Sequence, residues 1–173
     1  GLSGDSAKGL IGFDQLDDWS QRPELAVRHF SGTAVYRITF GLVDQATIQN
    51  CLRPCQLGLR QTPPSSLTLT PRSKSKIHLD LGDVKNVAEV TLNGKKLGVL
   101  WARPFRVEIS GTVKPEDNLL EIRVTNLWPN RLIGDAALPA EKRLTRTNVS
   151  SFKKDDALLP SGLLGPVQIM TAE

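Results

Sequence analysis

Hydrophobic and polar residues alternate one by one in six separate segments of the chain. In TAVYRITF, Ala34, Tyr36, Ile38 and Phe40 share one face of an extended chain, and Arg37 lies on the other. Successive side chains of a strand point to opposite faces of a sheet, so this period predicts strands with one buried and one solvated face. The other segments are KIHLDLG, VAEVTLNGKKLGVLW, PFRVEIS, NLLEIRVTN and PVQIMTA.

These segments predict an all-β fold, an antiparallel β-sandwich of the jelly-roll type with about eight strands. Asn93-Gly94 lies inside the third segment, and this pair supplies the positive φ angles that a tight hairpin turn needs. No long stretch shows sustained helical periodicity, and only QRPELAVRHF has room for a helical turn or two. We therefore expect very little helix.

The positions of the strands divide the chain into a lead-in and one folded domain. Residues 1–30 are interpreted as an N-terminal lead-in and linker, and residues 31–173 as the β-sandwich domain. Residues 44–76 are interpreted as a long basic loop, and its part from 61 to 76 is expected to be exposed and dispensable for folding. Residues 126–166 form a second long loop, whose many leucines predict that it is ordered.

The chain carries a net charge of +4, and its basic residues are unevenly distributed. Between Gln45 and Leu79 there is no Asp or Glu, whereas five Lys or Arg residues are present. We interpret this charge mainly as solvated surface, with an anionic partner as the sharper alternative. Because no aromatic residue lies among these basic residues, nucleic-acid binding is not expected. No run of about 20 apolar residues is present, so no contact with a membrane is expected either.

Two cysteines, Cys51 and Cys55, lie close together in CLRPC. A structural metal site needs more ligands, and neither His29 nor His78 has ligand spacing to them, so no metal and no cofactor are expected. The cysteines could close a small disulfide if the chain bends at Pro54, and free thiols are the alternative.

Polar and aromatic side chains gather where the NLLEIRVTN strand ends, in VTNLWPNRLIGD. Pro129 has no N–H to continue a ladder and Gly134 permits a turn, so a loop that bends back is expected here. One interpretation is a loop lock, in which Arg131 pairs with Asp135 and the asparagines satisfy turn carbonyls. The other is a polar surface offered to a sugar or to a neighbouring domain. The candidate contact residues are Asn126, Trp128, Asn130, Arg131 and Asp135.

Two further candidates follow the strand after the Asn-Gly turn. Trp101 could cap the hydrophobic core, which is the interpretation we favour, or its exposed ring could stack on the apolar face of a sugar. Arg103 lies two residues further along and is included in the candidate contact surface. Trp19, in LDDWSQRP, is expected to attach the N-terminal segment to the body of the domain.

Several segments, taken in order, resemble a known family of domains. FSGTAVYRITF, LDLGDVKNVAEVTLNGKKLGVLWARPFRVEISGTVKPEDNLLEIRVTNLWPNRLIGD and LLPSGLLGPVQI resemble the galactose-binding-like jelly-roll domain of multidomain glycoside hydrolases. The similarity is greatest to the C-terminal β-sandwich of family 106 α-L-rhamnosidases. The sugar-binding domain of family 2 β-glycosidases is more distantly similar. The segment from Gly41 to Lys76 lies outside the resemblance.

The resemblance implies an accessory role, because these enzymes carry catalysis on a barrel domain that this chain lacks. In the family 2 relatives, the loop that matches VTNLWPNRLIGD reaches the catalytic barrel and contributes polar groups to substrate positioning. Glycoside hydrolysis usually needs two carboxylates about 5–10 Å apart in a cleft. The acidic pairs of this chain are interpreted instead as solvated loop charges, so the chain alone is not expected to be catalytic.

We therefore expect a non-catalytic β-sandwich domain of a larger carbohydrate-active enzyme that is secreted or periplasmic. Its partner would be a glycan or the catalytic domain of the same polypeptide. An autonomous carbohydrate-binding module is the first alternative, and a solvent-facing Trp101 or Trp128 would favour it. A purely structural interaction domain is the second, and two buried tryptophans with Arg131 locked on Asp135 would favour that.

Overall fold

The computed structural model describes residues 15–42, 76–148 and 151–172. Within these ranges the chain forms nine strands and two short α-helices. The helices are α1 (Leu25–Arg28) and α2 (Pro129–Ala136). The strands are β1 (Thr33–Phe40), β2 (Lys76–Asp80), β3 (Asp83–Lys85), β4 (Val87–Leu92), β5 (Lys95–Leu100), β6 (Arg106–Glu108), β7 (Asn118–Thr125), β8 (Gly162–Gly165) and β9 (Gln168–Ala172).

These strands pair in antiparallel fashion in three sheets. The largest sheet has the order β1-β7-β4-β5, the second has the order β6-β2-β9, and β3 pairs with β8. The apolar faces of the two larger sheets contribute to one hydrophobic core. The predicted all-β antiparallel sandwich with little helix is therefore confirmed, whereas its jelly-roll connectivity stays a prediction.

The core follows the alternation seen in the sequence. Every second residue of β4 and β7 is buried, and the residues between them are partly or fully exposed. β1 lies at the edge of its sheet, so its inward residues are only partly covered. The opposite side of the core is contributed by Leu79, Leu81, Phe105, Ile109 and Val167.

Asn93 and Gly94 form the predicted tight turn between β4 and β5, with φ angles of 54° and 80°. The Asn93 side chain donates to the Thr112 carbonyl at 2.9 Å and accepts from the Leu119 N–H at 2.9 Å. It also donates at 3.0 Å to Asn118, whose side chain is fully buried at the start of β7. The turn is therefore fastened to β7 by side-chain hydrogen bonds as well as by the sheet.

The segment that precedes β1 packs onto the sandwich through Trp19, as predicted. Trp19 is buried in the core, and its indole N–H donates to the Tyr36 hydroxyl at 2.8 Å. Its backbone N–H donates to the Ser161 carbonyl, and the Ser161 N–H donates to the Asp18 carboxylate, each at 2.9 Å. These two hydrogen bonds to Ser161 also fix the segment that directly precedes β8.

The predicted long loop at 126–166 contains regular structure, and the expectation that it bends at Pro129 and Gly134 is wrong. Pro129 is the first residue of α2, a position that suits proline because the N–H there has no acceptor within the helix. Gly134 lies inside the same helix rather than in a turn. At the far end of the segment, residues 162–165 form β8.

Other predictions fall on parts of the chain that the structure leaves out. The basic loop at 44–76 lies outside the described residues, apart from Lys76, which begins β2. Cys51 and Cys55 lie outside them as well. Among the helices that are described, none is long and apolar enough to cross a membrane.

Candidate functional site

The register of the largest sheet brings the candidate residues to one of its ends. Ala88 of β4 pairs with Val124 of β7 on one side and with Leu100 of β5 on the other. Val124 and Leu100 are therefore two strand spacings apart, or roughly 10 Å. Both strands leave the sheet at this end, so Trp101 directly after β5 and Trp128 shortly after β7 emerge near one another.

Both of these tryptophans are exposed, Trp101 by 77% and Trp128 by 64% of their surface. The prediction that Trp101 caps the core is therefore wrong. The buried aromatic residues of the described core are instead Trp19 and Phe105. Two exposed indoles at one end of the sandwich favour a contact with something outside the domain.

Arg103 belongs to an ion-pair cluster with two residues that the sequence did not indicate. Its Nη2 donates to Asp83 Oδ1 at 2.6 Å, and Lys85 Nζ lies 2.9 Å from Asp83 Oδ2. Two positive charges share one negative charge, so the cluster retains a net charge of +1. The Arg103 side chain is 69% exposed, which leaves much of its guanidinium accessible.

An open cleft of about 540 Å³ adjoins this cluster. Its walls come from residues 80–83 between β2 and β3, residues 103–105 between β5 and β6, and residues 165–166 between β8 and β9. The Leu81 N–H donates to the Phe105 carbonyl at 2.8 Å, which joins the first two walls. Loops from three different strand connections therefore meet around one concave surface.

The wall formed by residues 80–83 is held by the Asp80 carboxylate. Its Oδ1 accepts from the Gly82 N–H at 2.9 Å, and its Oδ2 accepts two hydrogen bonds from Arg106 at 2.8 and 3.1 Å. Burial acts to raise the pKa of Asp80, but the Gly82 amide and Arg106 outweigh it and hold that pKa below its usual value. A Cβ on Gly82 would lie 2.4 Å from the Gly165 carbonyl, so only glycine fits here.

The amide of Asn126 ties the end of β7 to the start of β1. Its Oδ1 accepts from the Gly32 N–H at 2.9 Å, and its Nδ2 donates to the Phe30 carbonyl at 2.7 Å. The hydroxyl of Ser31 donates to the Leu127 carbonyl at 3.2 Å and reinforces this junction. Asn126 is buried, and both ends of its amide are used within the domain.

The amide of Asn130 fastens α2 to the chain that leads into β8. Its Nδ2 donates to the Leu159 carbonyl at 2.7 Å and to the Ser161 hydroxyl at 3.0 Å. Its Oδ1 accepts from the Leu159 N–H at 2.7 Å. Because Asn130 is buried with both polar atoms bonded, it fixes the position of the helix.

Arg131 and Asp135 form an ion pair one turn apart on α2, with Nη2 2.8 Å from Oδ1. Asp135 Oδ2 accepts from both the N–H and the hydroxyl of Thr145, and Oδ1 accepts from the Leu144 N–H at 3.3 Å. Burial acts to raise the pKa of Asp135. The hydrogen bonds from Thr145 and Leu144, with the charge of Arg131, outweigh burial and hold that pKa below its usual value.

α2 also packs closely against His29, for which the sequence indicated no role. A Cβ on Gly134 would lie 2.6 Å from His29 Cγ, so the missing side chain permits this contact. Burial lowers the pKa of His29, and the charges of Arg131 and Arg28 lower it further. Both effects favour the neutral imidazole where His29, the residue directly after α1, contacts α2.

The structure divides the seven candidates into two groups. Asn126, Asn130, Arg131 and Asp135, here called the polar lock, are bonded within the domain and mostly buried. Trp101, Arg103 and Trp128, here called the exposed rim, face solvent at one end of the sandwich. This burial favours the loop-lock interpretation for the first group, and contact with a sugar or a neighbouring domain stays a prediction for both.

The sequence contained one signal for the residues that were missed around the cleft. In LDLGD, an aspartate that precedes glycine by two residues is typical of a turn in which the side chain binds the backbone, and Asp80 does this. The ion pair between Asp83 and Arg103 joins segments that are distant in the sequence. The pair between Asp80 and Arg106 joins opposite residues of β2 and β6. Neither pair had such a signal in the sequence. Across residues 15–42, 76–148 and 151–172, no group of three or more His, Cys, Asp or Glu could hold a metal ion.

Comparison with known proteins finds similarities that extend over most of the chain, although no protein-family model matches it. A protein of Formosa agariphila with the name "Putative beta-glucuronidase" is 38% identical over 182 residues, which cover 92% of this chain and 14% of that protein. The structure of a rhamnosidase from Novosphingobium sp. PP1Y matches with a TM-score of 0.70 and 31% identity. That match covers 91% of this chain and 12% of the rhamnosidase.

The chain is thus similar over nearly its whole length to small parts of two much longer proteins. Both of those proteins bear the names of glycoside hydrolases, which agrees with the resemblance seen in the sequence. Membership of family 106 stays a prediction.

Proposed function

We propose that the chain is a non-catalytic accessory β-sandwich domain of a larger glycoside hydrolase that resembles an α-L-rhamnosidase. The observation that carries this proposal is the unequal share of the two chains in their structural match. The match spans 91% of this chain but only 12% of the Novosphingobium rhamnosidase. A unit that occupies so small a part of an enzyme leaves room for a separate catalytic domain. The domain packs on the catalytic domain or assists it in binding the glycan, and the parent enzyme is secreted or periplasmic.

Two carboxylates, Asp80 and Asp135, lack the state that is expected of a catalytic acid. The acid of a glycosidase has a raised pKa, so that it holds a proton to donate. The pKa values of Asp80 and Asp135 are lowered instead, and both carboxylates are occupied by hydrogen bonds and by an arginine. Such groups suit the fixing of loops better than the transfer of protons.

The exposed rim is the surface that we assign to contact with the glycan or the catalytic domain. Trp101 and Trp128 leave the same end of the largest sheet and are exposed, and Arg103 lies beside the open cleft. The polar lock holds this surface in position, because Asn126 and Asn130 fix the backbone on either side of Trp128. Each group therefore has a distinct part in the proposed function.

Two alternatives each have an observation in their favour. The exposed tryptophans favour an autonomous carbohydrate-binding module that binds glycan without a catalytic partner. The ion pair between Arg131 and Asp135 meets one of the two conditions for a purely structural interaction domain, and the exposed tryptophans do not meet the other. The accessory domain accommodates both observations, because it needs a rigid loop and an exposed contact surface together.

The test of the proposed function begins with the open reading frame on both sides of the 173-residue segment. We expect it to encode a catalytic barrel, and the segment alone to release no product from aryl α-L-rhamnosides or aryl β-glucuronides. Removal of the segment from the parent enzyme should lower kcat/KM on the polymeric glycan. Hydrolysis by the segment itself that is lost in Asp135→Asn, with the fold retained by circular dichroism, would overturn the proposal.

A further inference from the structure

Arg103 lies beside the cleft, and only part of the hydrogen-bonding capacity of its guanidinium is used within the described residues. Among the residues that the structure describes, only its Nη2 donates to a protein acceptor, Asp83. A guanidinium carries five N–H groups, so the Nε and Nη1 donors are left for solvent or a ligand. Because Asp83 also pairs with Lys85, its single charge does not neutralise both cations.

Arg106, the other arginine near the cleft, has its charge balanced by a carboxylate of its own. Arg106 donates through both Nε and Nη2 to Asp80, one cation to one carboxylate, and that carboxylate is fixed by the Gly82 amide as well. The surplus of positive charge is therefore localised at Arg103 and Lys85. A ligand that fits the cleft would meet a cation on this side and fixed carboxylate oxygens, which can accept from hydroxyls, on the other.

Trp101 adds an exposed aromatic ring beside the cleft, whose own lining includes Pro104, Phe105 and Pro166. It precedes Arg103 by two residues, so their Cα atoms are within about 7.6 Å of each other. The indole offers a flat, rigid contact area that loses little conformational entropy on binding. An apolar plane beside a cation and hydroxyl acceptors is a combination that matches a sugar ring bearing an anionic group.

The cleft is also of a suitable size and is already formed. Its volume of about 540 Å³ lies within the range of roughly 300–1,000 Å³ that is usual for small-molecule sites. The close approach of Gly82 to Gly165 and the hydrogen bond from Leu81 to Phe105 hold its walls together. Binding would therefore require little reorganisation of the backbone.

We propose that this cleft binds an anionic sugar unit of a glycan, with Arg103 as the partner of the anionic group and Trp101 as the stacking surface. This rests on the proposed function and names the class of glycan that the accessory domain takes. A uronic acid carboxylate and a sulfate ester both offer oxygens that a guanidinium fork can bind. The shared requirement is a negative charge on the sugar.

The experiment is isothermal titration calorimetry of the whole 173-residue chain with three tetrasaccharides. One is an oligogalacturonate, the second is a sulfated galactan fragment, and the third is a neutral galacto-oligosaccharide. We expect at least one anionic ligand to bind at least tenfold more tightly than the neutral one. A rise in ionic strength from about 0.01 M to 0.15 M should weaken that binding, since it shortens the Debye length from about 30 to about 8 Å.

The variants Arg103→Gln and Trp101→Ala test the two assigned residues. Arg103→Gln should weaken anionic binding by about tenfold or more, as the loss of a charged hydrogen bond does. Its matched control is Arg37→Gln, which removes an arginine of similar exposure that also donates to a carboxylate at 2.6 Å, on the outer face of the largest sheet. Arg37→Gln should change the affinity less than about twofold, because solvent and salt screen a surface charge that lies far from the binding site.

For the stacking surface, Leu119→Ala is the control for Trp101→Ala, since it removes an exposed apolar side chain near the start of β7, at the opposite end of the largest sheet from the exposed rim. Trp101→Ala should weaken binding of both charged and neutral ligands, whereas Leu119→Ala should leave it nearly unchanged. Far-UV circular dichroism and thermal melting of each variant confirm that the fold is retained. A loss confined to Trp101→Ala and Arg103→Gln supports the assigned cleft.

Three outcomes would overturn the proposal. They are equal affinity for neutral and anionic ligands, equal losses in Arg103→Gln and Arg37→Gln, and no binding of any anionic ligand. In the last case, weaker association of Arg103→Gln with the rest of the parent enzyme would assign Arg103 to an interdomain contact. The proposed function is tested separately by the reading frame and the hydrolysis assay, so a catalytic barrel beside a domain that binds no anionic sugar refutes this proposal alone.

Discussion

The polar lock and the exposed rim lie at the same end of one β-sandwich, yet their side chains are used in opposite ways. In the polar lock, the amides and the carboxylate are bonded to backbone groups of other segments. In the exposed rim, the two indoles face solvent, and Arg103 has a single protein acceptor among the residues described. The contrast separates groups that hold the domain together from groups that are available to a partner.

The difference has a physical basis in the cost of unmade hydrogen bonds. A buried donor or acceptor that loses its partner costs about 1–3 kcal/mol, and a buried charge costs more. A polar group or ring at the surface loses almost nothing when a neighbour is removed, because water replaces it. Substitutions in the polar lock should therefore change stability, and substitutions in the rim should change binding.

Among substitutions in the polar lock, the largest effect is expected from Asp135→Ala. It would leave Arg131, whose side chain is only 15% exposed, without its ionic partner, and it would free the Thr145 and Leu144 amides. Removing one member of a buried pair costs about 3–5 kcal/mol, so we expect a loss of about 3 kcal/mol in the free energy of unfolding. Urea denaturation monitored by circular dichroism measures it.

The matched control for this change is Glu121→Ala, which breaks the ion pair to the exposed Arg37 on the outer face of the largest sheet. That pair should contribute less than about 1 kcal/mol, because solvent screens it. Equal losses in Asp135→Ala and Glu121→Ala would show that the polar lock is no more than a set of surface ion pairs.

A smaller loss is expected from Gly134→Ala. Alanine is favoured over glycine inside a helix by about 1 kcal/mol, but its Cβ would lie 2.6 Å from His29 Cγ. The overlap should prevail and destabilise the domain by about 1–2 kcal/mol net. Gly111→Ala is the control, because a Cβ there has no atom within 4 Å. Stabilisation by Gly134→Ala would mean that α1 moves away from α2 at little cost.

The sequence predicted the fold better than it predicted the state of the candidate residues. Alternation over six segments specifies strands and their buried faces, and Asn93-Gly94 specifies its turn, because both signals are local. The two-turn helix α2 was missed because Pro129 and Gly134 looked like chain benders. Once that helix is known, the spacing of Arg131 and Asp135 by four residues places them on one face and accounts for their pairing.

The type of a residue did not predict whether its side chain is buried at this end of the sandwich. Trp19 and Trp101 are both tryptophans, yet Trp19 is 2% exposed and Trp101 is 77% exposed. Only the packing of separate segments determines which of the two is buried. The cluster of Asp83, Lys85 and Arg103 likewise depends on where the connections after β2 and β5 meet. Such long-range contacts leave no period in the sequence.

The contact between α1 and α2 should give the domain a mild sensitivity to acid. The pKa of His29 is lowered in the folded state by burial and by Arg131 and Arg28, although the Leu25 carbonyl and Asp135 act to raise it. As the pH falls through about 6.5, the unfolded chain therefore takes up the proton first, and stability decreases until the folded-state pKa is passed. The lowered pKa of Asp135 acts in a separate window, since its contribution is lost as the pH falls below about 4.

Denaturation midpoints measured between about pH 7.5 and 5 test the first of these windows, which straddles the usual histidine pKa. His29→Gln should remove a large part of the decrease over this interval. His78→Gln, which removes the other histidine of the chain, should retain it. A decrease that is the same in wild type and His29→Gln would show that this histidine is not linked to folding.

The smallest effect on stability is expected from the rim. Trp101→Ala and Trp128→Ala remove rings that are largely exposed, so each should change the free energy of unfolding by less than about 0.5 kcal/mol. For a domain of this size that corresponds to a shift in Tm of about 2 °C or less. Trp19→Ala is the buried counterpart and should cost about 3–5 kcal/mol, as large aromatic residues in cores do. A loss of more than about 1 kcal/mol in Trp101→Ala would mean that its ring is covered in the folded chain. It would then belong with the residues that hold the domain together, and the cleft beside Arg103 would lack its stacking surface.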